Sequence, residues 1–389
     1  MDPFATRKLG NTAVEVTRLG FGGGTLGDPV EVIDEARAEL TIEAAYAAGI
    51  GYFDTSPWYG NGKSEHRIGR VLRGKPRASF VLSTKIGRVY RRPADPARFS
   101  QVRWAGGLPF DLRFDYSRDG VLRSYEDSLM RLGMTSVDAL LIHDVDLKHQ
   151  KTEENVAAAF AQLDAGGGYA ALDAMRTRRE IGAIGAGINH VGMIPRFLER
   201  FDLDFFLVAM PYTLLDQPAL AEELPLCAER GASVVIGAVF ASGILARGPG
   251  PGALYSYRPA EQAEIERTSR IKAVCERHGV PLVAAALQFP LGHPVVASVI
   301  PGPNSAAQVR SNLQAMRHPV PADLWAELKA EQLIDPAAPT PAMERLPLSR
   351  RATPAFYTRA VASGFLFTLI FFARRWDLVI VSLRYGLIF

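Results

Sequence analysis

Short apolar runs recur along most of the chain, and stretches with helical periodicity separate them. An apolar or β-branched run bounded by turn-forming residues is typical of a buried strand, whereas apolar positions three to four residues apart indicate an amphipathic helix. Eight such strands alternating with helices predict a closed (β/α)8 TIM barrel of the α/β class rather than an open sheet. The predicted strands are 18–21, 51–53, 80–85, 139–143, 183–188, 205–210, 233–238 and 297–300, and the predicted helices are 35–48, 119–132, 169–180, 192–200, 218–230, 260–278 and 305–316.

Other segments fall outside this alternation. Residues 7–9 and 14–17 flank a Gly-Asn turn signal and predict an N-terminal β-hairpin. Two connections, 88–119 and 239–258, are longer than connections usually are, and long loops at the C-terminal face of a barrel often carry function. The first is rich in aromatic residues and the second in glycine. From the pattern alone, either one could also be a plain surface excursion.

The composition limits the class of protein. The chain has 389 residues, 48% of them hydrophobic, which suits one large barrel domain. Cys227 and Cys275 are too few for a disulfide framework, and the N-terminus has no apolar secretory segment, so we expect a reducing, cytoplasmic setting. The net charge of +3 arises near the C-terminus, because residues 1–341 hold 37 basic and 39 acidic side chains. Such a balance does not suggest a nucleic-acid surface.

The C-terminal part of the chain differs in composition from the rest. Prolines cluster from residue 336 onward, as in a linker, so we predict a barrel domain over 1–335 and a separate tail over 336–389. Residues 360–373 are apolar and uncharged, but they are fewer than the roughly 20 that span a bilayer. The tail could be a membrane-surface anchor, a cover over the barrel or an extension without function. We favour the last, because an exposed apolar stretch is an aggregation hazard, and we expect membrane contact only through 360–389.

Three predicted strands end on side chains that can do chemistry. Asp54 follows the second strand, and Tyr59 lies in the loop after it. Lys85 ends the third strand and His143 ends the fourth. An aspartate alone could simply cap the next turn, and a lone lysine or histidine would be ordinary. Because ligands and chemistry collect at the carboxyl ends of parallel strands, the four together predict a catalytic site.

Glycine-rich turns follow the first and the second predicted strands. The glycines at 22–24 would let a ligand approach the backbone closely, although a plain loop has the same composition. They do not form a Gly-x-Gly-x-x-Gly fingerprint and no helix is predicted directly after them, so a Rossmann-type site is excluded. Residues 60–62 predict a turn after Tyr59. We expect Ser64 to cap the helix that follows and Arg67 to lie on a surface turn.

With these residues in place, the sequence resembles the aldo-keto reductase family over about residues 7–335. Asp54, Tyr59, Lys85 and His143 match the family's catalytic tetrad. Within the family, the chain is most similar to bacterial sugar dehydrogenases that oxidise L-fucose, L-galactose or D-arabinose at C1. This closer resemblance rests on the FDTSPWYG form of the tyrosine loop, on PYTLLDQ at 211–217 and on the run at 281–302.

The resemblance implies a hydride transfer in which the four side chains cooperate. Tyr59 would exchange the proton, Lys85 would lower the pKa of Tyr59, and Asp54 would keep Lys85 charged. His143 would hydrogen-bond the substrate oxygen, with Trp58 as a second substrate contact. Because no side chain supplies a hydride, a nicotinamide cofactor is implied.

The resemblance also implies where that cofactor binds. Asn189 would hydrogen-bond its carboxamide, and Tyr212 would stack on the nicotinamide. The connection 239–258 would be its movable cover, and 88–119 would form a wall of the substrate pocket. The other implied cofactor contacts are Gly23, Gly24, Thr25 and Asp54 near the strand ends, Ser242, Gly243 and Leu245 at the pyrophosphate, and Gly302, Ser305, Gln308 and Asn312 at the adenosine end.

Charge at the adenosine end bears on the choice of cofactor. Family members selective for NADP usually carry a basic residue after the eighth strand, but Gly302, Asn304 and Gln308 are neutral here. Arg310 is expected to be the one cation nearby, and on a helix it can point away. Since a 2′-phosphate gains little without a bidentate cation, we expect NAD or NADP, with NAD favoured.

The leading interpretation is an NAD(P)-dependent enzyme that oxidises an aldose at C1 to its lactone. An aldehyde reductase or a pyridoxal dehydrogenase of the same fold would differ only in substrate. A non-catalytic cofactor-sensing subunit, of the kind that potassium-channel β subunits represent, could keep the same residues. We expect a small sugar or aldehyde as the ligand, and neither a metal nor a nucleic acid.

Overall fold

Eight parallel strands form a barrel that carries the other elements. The computed structural model describes residues 1–100 and 104–342. In chain order the strands are β1 (Thr6–Lys8), β2 (Glu15–Thr17), β3 (Phe21–Gly22), β4 (Tyr52–Asp54), β5 (Val81–Ile86), β6 (Arg88–Arg91), β7 (Asp111–Phe114), β8 (Ala139–His143), β9 (Ala183–Ile188), β10 (Phe205–Ala209), β11 (Ser233–Gly237), β12 (Leu254–Tyr255), β13 (Arg258–Pro259) and β14 (Val296–Val299). The helices are α1 (Glu35–Ala47), α2 (Lys63–Leu72), α3 (Arg118–Leu132), α4 (Leu147–Gln150), α5 (Glu153–Leu163), α6 (Gly168–Thr177), α7 (Met193–Leu198), α8 (Glu223–Arg230), α9 (Ile244–Arg247), α10 (Gln262–Arg277), α11 (Leu282–Gln288), α12 (Ala306–Arg317) and α13 (Ala322–Ala330).

The barrel strands follow one another in the order β3-β4-β5-β8-β9-β10-β11-β14, and neighbouring strands are parallel. The sheet closes where Leu19 pairs with Val299, and the Gly20 N–H donates to the Val299 carbonyl oxygen at 2.9 Å. We call this closure the seam. The predicted (β/α)8 barrel is confirmed, and β8 and β9 have the bounds that their apolar runs predict.

The barrel strands are buried on both faces because helices cover the outside and side chains fill the inside. Tyr52, Leu141 and Phe205 belong to an interior cluster. Their neighbours Leu140 and Phe206 belong instead to the larger cluster that the helices share. This two-residue alternation is the strand period, and it makes the barrel interior a packed core.

The hairpin of β1 and β2 covers the amino ends of the barrel strands. The two strands pair antiparallel, as predicted, and Leu9 and Val16 join the interior cluster. The Gly10 N–H donates to Ser233 Oγ at 2.9 Å. Gly10 has a φ of +56°, and a Cβ there would lie 2.3 Å from the Asp204 carbonyl oxygen, so only glycine fits. The carboxyl ends of the strands are left as the face where a ligand can bind.

The helices α5, α11 and α13 lie where the sequence gave no helix prediction. In α11, every residue from Ala284 to Gln288 is buried. A helix that is buried on all sides shows no amphipathic period, which is why the pattern alone does not reveal it.

The segment after Tyr59 differs from its prediction at the start of α2. The helix begins after Gly62, whose φ of 94° is left-handed, so Ser64 is not its cap. Ser64 Oγ instead donates to the Gly23 carbonyl oxygen at 2.8 Å. A 3-10 turn, Gly23–Gly27, follows β3 directly, where no helix was expected.

A buried arginine ties α2 to this turn. Arg67 is 1% exposed, so the expectation of a surface position is wrong. Arg67 NH1 donates to Asp28 Oδ1 at 2.6 Å and NH2 to Glu35 Oε1 at 2.7 Å, while Lys63 Nζ donates to Asp28 Oδ2 at 2.7 Å. These charge-assisted bonds hold the glycine turn against α2 at the open face of the barrel.

The end of the described chain packs on the barrel. The described residues form one compact unit, and Ala338 is buried in its core. Within the described ranges, no helix combines the length and the apolar character that crossing a bilayer requires. The predicted apolar tail lies outside the described residues, so its role and the boundary after residue 335 stay predictions.

Candidate active site

The strand ends bring the four predicted catalytic side chains together. Asp54 is the last residue of β4, Lys85 lies near the end of β5 and His143 is the last residue of β8. Because β4, β5 and β8 are adjacent and parallel, these side chains share one end of the barrel. Tyr59 lies in the next turn, where its ring is perpendicular to that of His143 with the centroids 6.0 Å apart.

Lys85 and Asp54 form a buried ion pair at the base of the site. Both are 1% exposed, and Lys85 Nζ donates to Asp54 Oδ2 at 2.6 Å and to the Thr55 carbonyl oxygen at 2.7 Å. Ser83 Oγ donates to Asp54 Oδ1 at 2.7 Å. Burial raises the pKa of Asp54, and Lys85 opposes that rise. The Asp54 carboxylate thus accepts hydrogen bonds from Ser83 and Lys85, and it holds the Lys85 ammonium in place.

Tyr59 keeps its proton in this environment. Burial raises the pKa of its hydroxyl well above the usual value, the charge of Asp54 adds to the rise, and Arg88 opposes it. Lys85 Nζ lies 4.8 Å from the ring centroid, but the net pKa is not lowered as expected, because burial outweighs the nearby cations. At neutral pH, Tyr59 is therefore a proton donor, and its phenolate forms only as the pH rises.

His143 is neutral. Burial lowers the pKa of its imidazole well below the usual value, and the charges of Arg88 and Lys85 lower it further. Its Nδ1 atom lies 3.1 Å from Arg88 NH1 and 3.1 Å from Ser56 Oγ. The backbone is held as well, because Tyr116 OH donates to the His143 carbonyl oxygen at 2.7 Å.

Arg88 is a site residue that sequence reasoning missed. It is 5% exposed, its NH2 lies 2.8 Å from Asp144 Oδ2, and its guanidinium carbon lies 4.7 Å and 4.6 Å from the ring centroids of Trp58 and Phe114. Gly87 separates it from β5, so in the sequence it looks like the first residue of a long surface loop. The available signal was the pairing of a cation with aromatic residues in that loop.

The connection 88–119 stands beside the tetrad. β6 and β7 form an antiparallel hairpin within it. Trp104 is 5% exposed and meets the rings of Trp58 and Tyr59 at centroid distances of 5.5 Å and 6.1 Å. Tyr90 OH donates to the Pro57 carbonyl oxygen, which ties the hairpin to the tyrosine loop. This placement agrees with the predicted pocket wall, and it puts the partly exposed Trp58 next to the reacting groups.

Asn189 lies beside this site, as its strand-end position implied. Its Nδ2 donates to Asp144 Oδ1 at 3.0 Å and to Asp146 Oδ2 at 2.9 Å. Burial alone would raise the pKa of Asp146, but hydrogen bonds from His149 and Asn189 outweigh it and lower this pKa to about 2. With both amide hydrogens used, the Asn189 carbonyl oxygen is the atom that would accept a bond from a carboxamide.

The turn after β3 reaches both the tetrad and the segment after β14. A Cβ on Gly24 would lie 4.0 Å from Tyr59 Cζ, and Gly23 is packed against Ser64 Oγ and the Asp54 carbonyl oxygen. Thr25 Oγ1 donates to the Pro303 carbonyl oxygen at 3.0 Å. The predicted contacts Gly23, Gly24 and Thr25 therefore lie between the reacting groups and the predicted adenosine end.

Two predicted cofactor contacts need correction because they are part of the core. Tyr212 is 0% exposed, and its ring packs against those of Phe289 and His293 at 5.5 Å and 5.8 Å, so it has no face left for a nicotinamide. Leu245 is also 0% exposed, and its N–H donates to the Phe240 carbonyl oxygen at 3.2 Å. Neither side chain can touch a ligand without leaving the core.

Ser242 and Gly243 occupy a more open position in the same connection. Together with Arg247 they line a cavity of about 140 Å³. Gly243 has a φ of +110°, and nothing lies within 4 Å of where its Cβ would be. A positive side chain beside open glycine backbone fits a phosphate group. Arg247 is thus a second residue that the sequence reasoning missed, since a lone arginine in a glycine-rich loop carries little signal.

At the predicted adenosine end, Ser305 caps α12 by accepting from the Gln308 N–H at 3.3 Å. Gly302 and Gln308 are exposed, whereas Asn312 is 7% exposed and packs inside. The expectation that Arg310 is the one cation nearby is wrong. Arg37 donates from Nε to the Asn304 carbonyl oxygen at 2.8 Å and from NH2 to Asn304 Oδ1 at 2.9 Å.

Arg37 is already engaged in this position. Its NH2 also lies 3.2 Å from Glu31 Oε1, and Asn304 Nδ2 donates to the same oxygen at 2.8 Å. The Glu31 carboxylate thus balances the Arg37 guanidinium. Arg37 is therefore not a free cation for a 2′-phosphate bound near Asn304.

Known proteins match the chain along the whole barrel. The profile of the aldo/keto reductase family matches residues 18–332. A pyridoxal 4-dehydrogenase from Microbacterium luteolum is 40% identical, over 84% of this chain and 97% of that protein. A D-threo-aldose 1-dehydrogenase from a Pseudomonas species is 38% identical, over 84% of this chain and 96% of that protein. The solved holo form of an aldo-keto reductase from Bacillus halodurans has a TM-score of 0.62 at 27% identity, covering 88% of this chain and 99% of that one.

The ion pair at the base of the site gives a stability prediction. Lys85→Met should lower the free energy of unfolding by about 3–5 kcal/mol, because it leaves the buried Asp54 carboxylate without its cation. The double variant Asp54→Asn with Lys85→Met should be more stable than Lys85→Met alone, since it removes both charges. Urea unfolding of the wild type and of both variants, followed by circular dichroism, measures these free energies.

The matched control is Lys75→Met, which breaks the more exposed pair with Glu43 at 2.8 Å. Such pairs contribute about 0–1 kcal/mol. If Lys85→Met cost no more than Lys75→Met, the buried pair would not be the constraint described here.

Proposed function

The chain belongs to the aldo/keto reductase family, and from this premise we propose that it is an NAD(P)-dependent dehydrogenase that oxidises a cyclic hemiacetal to a lactone. An aldose, oxidised at C1, is the first candidate substrate, and pyridoxal is the second. The observation that carries the proposal is the grouping of Tyr59, Lys85 and His143 at the open face of the barrel.

The roles of these side chains follow from their geometry. In the oxidative direction the hydroxyl proton of the substrate passes to Tyr59, which must first be the phenolate. Lys85, 4.8 Å from the Tyr59 ring centroid, is the cation that stabilises this phenolate, and Asp54 keeps Lys85 charged. His143 is neutral and donates a hydrogen bond to the substrate oxygen, which fixes its position against Tyr59.

The residues around the site fit a dinucleotide. Gly24 and Thr25 lie beside Tyr59 and the segment after β14, and Asn189 offers a carbonyl oxygen for a carboxamide. Gly243 and Arg247 line a cavity that suits a pyrophosphate. When bound, NAD(P) supplies the hydride-acceptor chemistry that no side chain has. We propose a cytoplasmic enzyme, because both cysteines are buried free thiols.

The two candidate substrates share one reacting group. An aldose closes a hemiacetal at C1, and pyridoxal closes one between its aldehyde and the neighbouring hydroxymethyl group. In both, loss of a proton from oxygen and a hydride from carbon gives a lactone. Trp58 and Trp104 provide aromatic surfaces beside Tyr59, which suit the C–H face of a sugar ring as well as a pyridine ring.

A substrate series tests the proposal directly. With NAD, we expect NADH formation from at least one of L-fucose, L-galactose, D-arabinose and pyridoxal, and a lactone as the product by mass spectrometry. The methyl glycoside of the active sugar should give no turnover, because its anomeric hydroxyl is blocked. For pyridoxal the matched control is pyridine-4-carbaldehyde, which cannot cyclise. Absence of turnover with all four substrates would refute the dehydrogenase proposal and favour a cofactor-sensing protein.

Replacing the proton carrier should separate chemistry from binding. Tyr59→Phe should lower kcat by about a hundredfold or more, with the Kd for the cofactor nearly unchanged. The wild-type oxidation rate should rise with pH, because the raised pKa of Tyr59 leaves little phenolate at neutral pH, and the variant should lose this dependence. Tyr46→Phe, whose hydroxyl bonds Ser79 on the outer surface, is the control. A Tyr59→Phe enzyme that kept more than about a hundredth of the rate would contradict the assigned role.

Cofactor choice follows from the charges after β14. NAD should be preferred in kcat/KM, because Gly302, Asn304 and Gln308 are neutral and Arg37 is engaged with Glu31. Gln308→Arg should shift the NADP/NAD ratio by about tenfold or more, since a charge-assisted hydrogen bond is worth roughly the 1.4 kcal/mol that this factor represents. Arg310→Ala should leave the ratio unchanged. A wild-type preference for NADP that disappears in Arg310→Ala would overturn this assignment.

A further inference from the structure

Arg88 is placed where it controls the proton on His143. It sits in a slot between the rings of Trp58 and Phe114, and it is 5% exposed. From there NH1 lies 3.1 Å from His143 Nδ1 and NH2 lies 2.8 Å from Asp144 Oδ2. The reaction assigned to the tetrad does not itself require an arginine at this position.

The contact between Arg88 NH1 and His143 Nδ1 fixes which of the two groups is the donor. A guanidinium has five N–H donors, has no acceptor and does not lose its proton in proteins. Nδ1 must therefore be the acceptor, and in a neutral imidazole the proton is then on Nε2. An Nε2–H group can donate to a substrate oxygen, whereas a bare Nε2 lone pair would repel that oxygen.

The contact with Asp144 supports the same state. Asp144 Oδ2 lies 3.4 Å from His143 Nε2, and a carboxylate so close to an imidazole favours the imidazolium form. Arg88 is paired with that same oxygen, so it offsets the negative charge. The other charged or titratable groups facing His143 are Lys85 on β5, His149 on α4 and Tyr59 in the loop after β4.

Without Arg88, Ser56 could stabilise the other tautomer of His143, in which Nδ1 carries the proton. Ser56 Oγ lies 3.1 Å from His143 Nδ1, and a hydroxyl can either donate or accept. With Arg88 in place, Nδ1 accepts and Ser56 cannot receive a proton from it. Without Arg88, an Nδ1–H group could donate to Ser56, which would leave Nε2 without its proton.

We propose that Arg88 is a positioning residue that holds His143 as the neutral Nε2–H tautomer, so that His143 donates to the substrate oxygen during the hydride transfer. The catalytic part of this inference rests on the proposed function, whereas the tautomer itself does not. Because Arg88 begins the 88–119 connection and lies against the ring of Phe114, it also links the pocket wall formed by this connection to the reacting groups.

Nitrogen NMR of the protein labelled with ¹⁵N-histidine tests the tautomer without any turnover. The sequence has seven histidines, and a His143→Asn variant identifies the signal. At neutral pH the wild type should show His143 uncharged, with the proton on Nε2. Arg88→Lys keeps a charged donor and should keep this tautomer. Arg88→Met keeps the length but removes the donor, and it should move the proton to Nδ1.

Kinetics then test the consequence for the reaction. Arg88→Met should lower kcat/KM by about 10²–10³-fold, the range for loss of one preorganised donor, whereas Arg88→Lys should recover most of it. The pKa of His143 should rise in Arg88→Met, because a neighbouring cation is gone and Asp144 is unpaired. Protonation of the Nδ1–H tautomer places a proton on Nε2, so the deficit of Arg88→Met relative to the wild type should shrink as the pH falls through that pKa. Arg113→Met, on the exposed part of the same hairpin, should change neither readout.

The outcomes separate the two proposals. A wild-type His143 with its proton on Nδ1, or charged at neutral pH, would overturn the inference even if Arg88→Met did not fold. An Arg88→Met protein that folds and keeps the Nε2–H tautomer would overturn it as well. If the tautomer follows Arg88 as expected but no hemiacetal is oxidised, the positioning role stands and the proposed function fails.

Discussion

The buried ion pair between Lys85 and Asp54 is the constraint on which the rest of the site depends. Two opposite charges in a packed barrel interior are costly unless each has further partners, and here Ser83 and the Thr55 carbonyl supply them. The pair fixes the ammonium against the face of the Tyr59 ring, and that charge in turn helps to keep His143 neutral. Tyr59 and His143 are thus arranged around a charge that cannot move away.

The parts of the molecule that depend on local pattern were predictable from the sequence. β8 and β9 are continuous apolar runs buried on both faces, so their bounds could be read directly, and the residues at the strand ends followed from the parallel topology. The hairpin followed from one turn signal. The turn signal after Tyr59 misled about Ser64, because Gly62 rather than a polar side chain begins α2.

The parts that depend on long-range packing could not be read in this way. Tyr212 and Leu245 lie in the segments expected to meet the cofactor, but their side chains face the core, and a loop has no period that would reveal this. Arg67 looked like a surface residue, although Asp28 and Glu35, more than thirty residues away, give it a buried position. Arg37 meets Asn304 across 267 residues of sequence, and no local pattern reports such a contact.

The seam of the barrel has a consequence for how the protein folds. Leu19 meets Val299 there, and next to it Thr25 meets Pro303, so the expected nucleotide surface joins the two ends of the barrel sequence. Contacts of such large sequence separation form late and slowly, because the loop that they close must first lose its entropy. A nucleotide bound across the seam would stabilise only the closed barrel, by a free energy that grows with the logarithm of its concentration. Cofactor supply in the cell would then act on the lifetime of the folded protein as well as on its rate of turnover.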